Sequence, residues 1–222
     1  MKPTAALVLD HVFVMCSAGG PEAAALTRAG LTEGSSNTHP GQGTASRRFF
    51  LESLYIELVW VSDAEEARRE PAARTRLWER WSKRGQGACP FGLVFRTAVG
   101  FPTAEPPFPT WSYHPSYSEV AIDLGSGTPL SEPELVYFRF PRRSGALRGE
   151  PTAHALPLRT LTALSVGIPG PAARSGSARA VEATGLVTFP PADDYVMTLA
   201  FDGGAQRRTR DLRPDLPLVL AW

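Results

Sequence analysis

Lysine is almost missing from this chain: Lys2 and Lys83 are the only two, so nearly all positive charge is arginine. Cysteine is scarce too, and Cys16 and Cys89 alone cannot build a disulfide framework, so a reduced, cytoplasmic protein is expected. No apolar run approaches the ~20 residues of a helical membrane span. Nor is there an excess of one charge. Lys and Arg total 23 against 22 Asp and Glu, a net +1, which gives no global attraction to a phosphate backbone. Neither a membrane nor a nucleic acid is an expected partner. Walker loop, GxGxxG, GxSxG, HExxH and paired CxxC patterns are all absent from the sequence.

What remains is ordinary globular material. The chain has 222 residues, 43% apolar and 20% charged, enough for one large domain or a domain and a half. The first twenty residues offer Lys2, an apolar stretch and Cys16, but Asp10 and His11 interrupt the stretch and Met15 precedes the cysteine. They read as a first β-strand rather than a lipoprotein leader. A short helix follows from Glu22 to Ala29, opened by Pro21 and closed by Gly30. Residues 35–43 read as a loop, Thr44 to Leu51 and Leu54 to Val61 as a tight hairpin, and 63–70 as charged surface. Arg74 to Arg84 has Leu77, Trp78 and Trp81 at helical spacing, so these three are its expected core face.

The remaining expected strands are Phe91 to Arg96, Tyr113 to Leu124, Glu134 to Phe140, Leu161 to Ile168, Tyr195 to Phe201 and Leu216 to Trp222. One more helix is expected at Ser177 to Thr184. Residues 141–153 read as a basic linker. Parts of this order repeat. Ala29-Gly30-Leu31 is echoed by Thr184-Gly185-Leu186, and Glu57-Leu58-Val59 by Glu134-Leu135-Val136. Three β-rich modules result, about 5–65, 88–142 and 155–222, of which lone copies would expose a sheet face and so should pack in pairs.

Two strands carry polar residues among apolar neighbours: His11 in Leu9-Asp10-His11-Val12, and Glu57 in Tyr55-Ile56-Glu57-Leu58. Buried, each must be paired, hydrogen-bonded or bound to a metal. A two-residue turn at Glu52-Ser53 would set Glu57 opposite Arg48 on one face, and a three-residue turn would set it opposite Arg47; either arginine could neutralise it. The loop His39-Pro40-Gly41-Gln42-Gly43-Thr44 suits binding: its glycines let backbone N–H groups approach a ligand, and Gln42 and Thr44 add neutral donors. An inward Arg48 would clamp an oxyanion. Trp111 and Tyr113, in an aromatic stretch with Tyr117, are either a pocket wall or ordinary packing. His114 and His154 carry no such signal.

With the repeat, these strands resemble the vicinal-oxygen-chelate superfamily. The loop, the Glu57 strand and Pro90-Phe91-Gly92 together resemble its bacterial glyoxalase-like domain branch, over roughly residues 7–140. The resemblance implies an α+β fold of repeated βαβββ modules whose curled mixed sheets form a cup, as in glyoxalase, bleomycin-resistance and dioxygenase-like proteins. It implies a glyoxalase-like domain over 5–142, from modules 5–65 and 88–142, with 155–222 as an additional degenerate βαββ module that either covers the pair or meets its copy in a homodimer. It also implies that His11 and Glu57 are catalytic and, with Glu134, hold a divalent metal such as Zn, Ni, Mn or Fe. The second histidine slot falls at Leu93, and the third module's slots fall near Ala163 and Pro217, so the metal set is defective. The implied function is binding of a small oxygen-rich or anionic molecule, with lyase or isomerase turnover. The alternative is metal-free sequestration in which His39, Gln42, Thr44, Arg48, Trp111 and Tyr113 hold the guest.

Overall fold

A computed structural model describes residues 6–101, 104–141, 149–170 and 174–222. The extreme N-terminus and residues 142–148 of the expected linker lie outside the described residues. The first module runs β1 (Leu7–Met15), α1 (Ala23–Ala29), β2 (Asn37–His39), β3 (Thr44–Phe50) and β4 (Tyr55–Val61). Two short helices, α2 (Ala64–Ala67) and α3 (Leu77–Ser82), lead to the second: β5 (Phe91–Thr97), β6 (Thr110–Tyr113), β7 (Ile122–Gly125) and β8 (Glu134–Phe138). α1 buries Ala23, Ala25, Leu26 and Ala29 and ends where Gly30 takes φ 104°, a backbone a side chain would resist. The expected hairpin forms with the expected register. Arg48 pairs with Glu57, and Leu51 N–H donates to Leu54 O at 2.8 Å to close the turn.

These strands make one eight-stranded sheet in the order β2-β3-β4-β1-β5-β8-β7-β6. β1 and β5 meet antiparallel at its centre, β4 runs parallel to β1, and β8 runs parallel to β5. The two modules are thus related by a local two-fold axis. Phe13 pairs with Gly92 on that axis, with Glu57 beside Phe13 and Glu134 beside Gly92. Alternation then sorts the side chains. Val12, Val14, Ile56, Leu58, Leu93, Phe95, Leu135 and Tyr137 enter the main core, whereas Phe13, Val59, Val94 and Val136 line the opposite face. Leu93 therefore points away from the cup. The register equivalent of His11 is Pro90, two residues before Gly92 as His11 is before Phe13, and it cannot ligate either.

The rest of the chain, β9 (Leu161–Pro169), α4 (Gly176–Glu182), β10 (Pro191–Ala192), β11 (Val196–Phe201), β12 (Thr209–Asp211) and β13 (Leu218–Ala221), forms a five-stranded sheet ordered β10-β9-β11-β13-β12. A single βαβββ module would set its last strand beside its first; this sheet does not. It instead repeats the central order β4-β1-β5-β8-β7 of the large sheet. β10 is parallel to β9, β9 antiparallel to β11, β11 parallel to β13, and β12 antiparallel to β13. Even the register shift recurs: Asp10 is the extra residue in β1 and Thr162 in β9. The small sheet is a trimmed version of the paired-module sheet rather than of one module. Its Leu164, Val166, Met197, Leu199, Phe201, Leu218 and Leu220 join the same core as the convex side of the large sheet, so it covers that side and leaves the cup open.

Three local expectations are corrected. Tyr113 to Leu124 is not one strand but the hairpin β6–β7, because Pro115 interrupts the ladder. Asp63 caps α2 by accepting from the N–H groups of Glu65 and Glu66, so part of the charged segment is helical. In α3 the fully buried side chain is Arg80, while Leu77 and Trp81 are partly buried against the cup-side cluster. No helix among the described residues is long and apolar enough to cross a membrane.

Candidate functional site

The site grows from the bulge in β1. An extra residue there lets consecutive side chains reach one another, and Asp10 Oδ2 stands 2.7 Å from His11 Nδ1. Arg96 forms an ion pair with Asp10 from behind. The parallel β1–β4 register sets His11 beside Tyr55, where the rings stack with centroids 4.2 Å apart and 13° between planes. Across the strand, His11 Nε2 lies 3.5 Å from Glu57 Oε2, while Ser46 Oγ donates to Glu57 Oε1 at 2.6 Å. The imidazole is therefore held between two carboxylates.

Both sides of that contact are buried, His11 with 6% and Glu57 with 7% exposure. Burial alone would depress the imidazole, but its hydrogen bonds to Asp10 and Glu57 prevail and raise it above 6.5. Burial alone would raise Glu57; the His11 hydrogen bond and charge, with help from His39 and Ser46, hold it down to about 2. Asp10, also desolvated, is held well below its ordinary value by His11 and Arg96. The trio thus sets an imidazole whose protonated form is favoured beside a carboxylate held in its charged form.

The trio opens onto a cavity of about 350 Å³ on the cup face. Phe13, Tyr55, Val59, Val94, Tyr113 and Tyr117 are among its walls, and His39, Gln42 and Glu134 add polar edges. At the rim, Tyr117 OH donates to Gln42 Oε1 at 3.0 Å, and Gln42 Nε2 donates to Thr44 Oγ1 at 2.8 Å. His39 spans Asn37 and Thr44 at 3.0 and 2.9 Å, and burial lowers its pKa, so it is a neutral imidazole.

The glyoxalase-like domain family matches residues 9–105, the segment that supplies Asp10, His11, His39, Gln42 and Glu57. The likeness to that family covers a little under half of the chain. No curated protein matches the chain. A hypothetical protein from Staphylococcus aureus has the same fold, with a TM-score of 0.50 and 10% identity over 96% of this chain and 97% of that one. Two more distant likenesses are a hypothetical protein from Bacillus halodurans C-125 (TM-score 0.39, 12% identity, 63% of this chain and 99% of that) and a mutant of 4-hydroxymandelate synthase from Streptomyces coelicolor (TM-score 0.42, 12% identity, 90% and 71%).

Vicinal-oxygen-chelate proteins often carry a divalent metal, but the donors of this cup do not fit one. Among the described residues no group of three or more His, Cys, Asp or Glu is arranged so that it could hold a metal ion. Glu57 and Glu134 face the cavity from strands three spacings apart, about 14 Å along the sheet at ~4.8 Å per strand. The Phe13 ring stands between them, and a Cβ on Gly92 would meet it at 2.0 Å. Glu134 is also engaged: Arg80, 1% exposed, donates to its Oε2 at 2.9 Å and to the carbonyls of Cys89 and Glu132 at 2.8 Å each. Burial pushes the Glu134 carboxyl up while Arg80 pulls it down.

The other sequence candidates divide. His39, Gln42 and Tyr113 line the cavity, and Thr44 orders two of them from behind. Arg48 shares the register of Glu57 but turns outward to Ser35 O at 2.9 Å and Ser35 Oγ at 2.6 Å, so it clamps nothing in the cup. Trp111 lies outside the main cavity, beneath Arg74. The loop glycines serve packing: Gly41 N–H donates to Glu66 Oε2 at 2.8 Å, and a Cβ on Gly43 would meet Asp63 O at 2.3 Å. His114 is exposed. Sequence reasoning missed Asp10 and Arg80 as site residues. Adjacent polar residues inside an alternating strand were the available signal for Asp10; nothing in the helical pattern singles out Arg80.

Proposed function

We propose that the cup binds a small, flat molecule carrying a hydrogen-bond acceptor and donor on neighbouring atoms, without a metal. The observation that carries this is the His11 Nε2 to Glu57 Oε2 separation of 3.5 Å at the edge of an aromatic hollow. The imidazolium donates to the acceptor, the carboxylate receives the donor, and Phe13, Tyr113 and Tyr117 enclose the body. With Arg48 turned away and two glutamates on the wall, an anionic group gains little deep in the cup, so the part of the guest that meets His11 and Glu57 is neutral and oxygen-rich. In EDTA-treated protein, 2-hydroxyacetophenone should raise the melting temperature more than acetophenone, which lacks the donor. His11→Asn and Glu57→Gln should remove that difference. A response that requires added divalent metal, or that survives both substitutions, overturns the proposal.

A second reading, turnover of the isomerase or lyase type, is favoured by one detail. Asp10 occupies Nδ1, which orients the opposite nitrogen toward the hollow as a general acid or base requires. Deuterium exchange from solvent into the carbon bearing the hydroxyl of 2-hydroxyacetophenone, lost in His11→Asn, would support it; no exchange above the protein-free rate would remove it for this probe.

A further inference from the structure

A second, more polar cavity of about 250 Å³ adjoins the cup, and Thr75 and Glu134 belong to the walls of both. Its other walls are Arg74, Arg76, Trp111 and the turn Gly125-Ser126-Gly127-Thr128. Three features set it apart from an ordinary surface dent. Thr128 is 6% exposed, yet its Oγ1 has no hydrogen-bond partner among the described residues. A desolvated hydroxyl of this kind costs stability unless something answers it. Gly125 packs closely on that hydroxyl, since a Cβ there would come within 2.9 Å of Oγ1.

The two arginines are exposed, but each is tethered at one point and Arg76 shares its charge with Glu79. Arg74 lies over the Trp111 ring with its guanidinium carbon 4.2 Å from the centroid, which leaves its N–H edges available. Arg76 adopts φ 61°, an uncommon backbone for a side-chain-bearing residue, and its guanidinium donates to Thr128 O at 3.3 Å and to Glu79 Oε2 at 3.1 Å. Glu134 faces the same space, but its charge is opposed by Arg80 at 2.9 Å and further by Arg76. Two cations, an unanswered hydroxyl and a neutralised carboxylate suit an oxyanion.

We infer that this side cavity receives a carboxylate or phosphate group borne by the molecule whose flat body fills the cup, with Arg74, Arg76 and Thr128 as its ligands. The inference rests on the reading of the cup as a binding site, so its test uses probes that reach the two cavities separately. At constant ionic strength, inorganic phosphate should raise the melting temperature where chloride does not. Thr128→Val should raise the melting temperature of the phosphate-free protein, because it deletes an unpaired buried hydroxyl, and should shrink the phosphate response. Arg74→Gln should shrink it too, whereas Glu57→Gln should leave it intact. Phenyl phosphate, able to occupy both cavities, should bind about tenfold or more tighter than phosphate.

A phosphate response no larger than that of chloride, or one undiminished in both Arg74→Gln and Thr128→Val, overturns the anion site. If 2-hydroxyacetophenone still stabilises the protein in that case, the cup reading stands alone. Phenyl phosphate binding no tighter than phosphate overturns the link between the two cavities.

Discussion

The two sheets of this molecule share a strand order, a register shift and a core, yet only one of them has a site. By register, His11 corresponds to Ala163, Phe13 to Ser165, Gly92 to Thr198, Glu134 to Val219, and Glu57 to Thr188, which bridges Ser165 as Glu57 pairs with Phe13. On the core-facing side the correspondence is conservative: Val12 and Leu164, Val14 and Val166, Leu93 and Leu199, Phe95 and Phe201 are all buried apolar residues. On the other side His11, Glu57 and Glu134 give way to Ala163, Thr188 and Val219, none of them ionisable. The packing half of the pattern therefore survives without the chemical half. Burial of apolar area is indifferent to what the far face carries, whereas a desolvated charge persists only with a full set of partners.

That contrast can be tested in descending order of effect. Arg80→Ala strips Glu134 of its buried partner and leaves the carbonyls of Cys89 and Glu132 unanswered, so urea unfolding should show a loss of about 3–5 kcal/mol. No residue of the small sheet's outer face should approach this. Leu93→Ala and Leu199→Ala, equivalent positions that are both fully buried, should each cost about 2–5 kcal/mol with one cooperative transition, since the sheets share one core. A separate early transition for Leu199→Ala would show that the small sheet is an independent unit. Gly92→Ala should cost about 1–3 kcal/mol, because the new methyl drives into the Phe13 ring. Thr198→Ala, at the equivalent position, should change stability by only about 0.5 kcal/mol or less.

The pH dependence separates the faces as well. Because Asp10 and Glu57 are lowered on folding, their contribution is present above about 4.5 and fades as pH falls toward 2. Because His11 is raised, its contribution is complete below 6.5 and fades as pH climbs through its folded value. The stabilisation supplied by this trio should therefore be greatest between about 4.5 and 6.5, and His11→Asn should remove its alkaline decline, read as the pH-dependent difference in urea stability from the unsubstituted protein. The smallest effect is expected from Ala163→His: at this exposed site a histidine should titrate near 6.5 by NMR, below His11.

Much of the architecture is legible in the sequence because strand alternation and turn chemistry are local. The hairpin register that set Arg48 against Glu57 followed from two turn residues, and the structure keeps it. What the register could not disclose is where a long side chain ends: Arg48 has the reach to leave the strand for Ser35, and Glu57 turns to His11 and Ser46 instead. The small sheet misled for a related reason. Its β10 and β12 are only two and three residues long, too brief for a pattern, so two half-modules look like one. Arg80 was hidden because a charged residue beside two tryptophans reads as the wet side of a helix, and only the carbonyls of Cys89 and Glu132 make burial tolerable there.

The phenyl group at position 13 has a last consequence. Two matched half-sites facing each other across a dyad would accept a guest in either of two equivalent poses. With one ring standing on the axis and glycine opposite it, the hollow becomes handed: imidazole on one flank, guanidinium-locked carboxylate on the other. A molecule entering it can tell left from right.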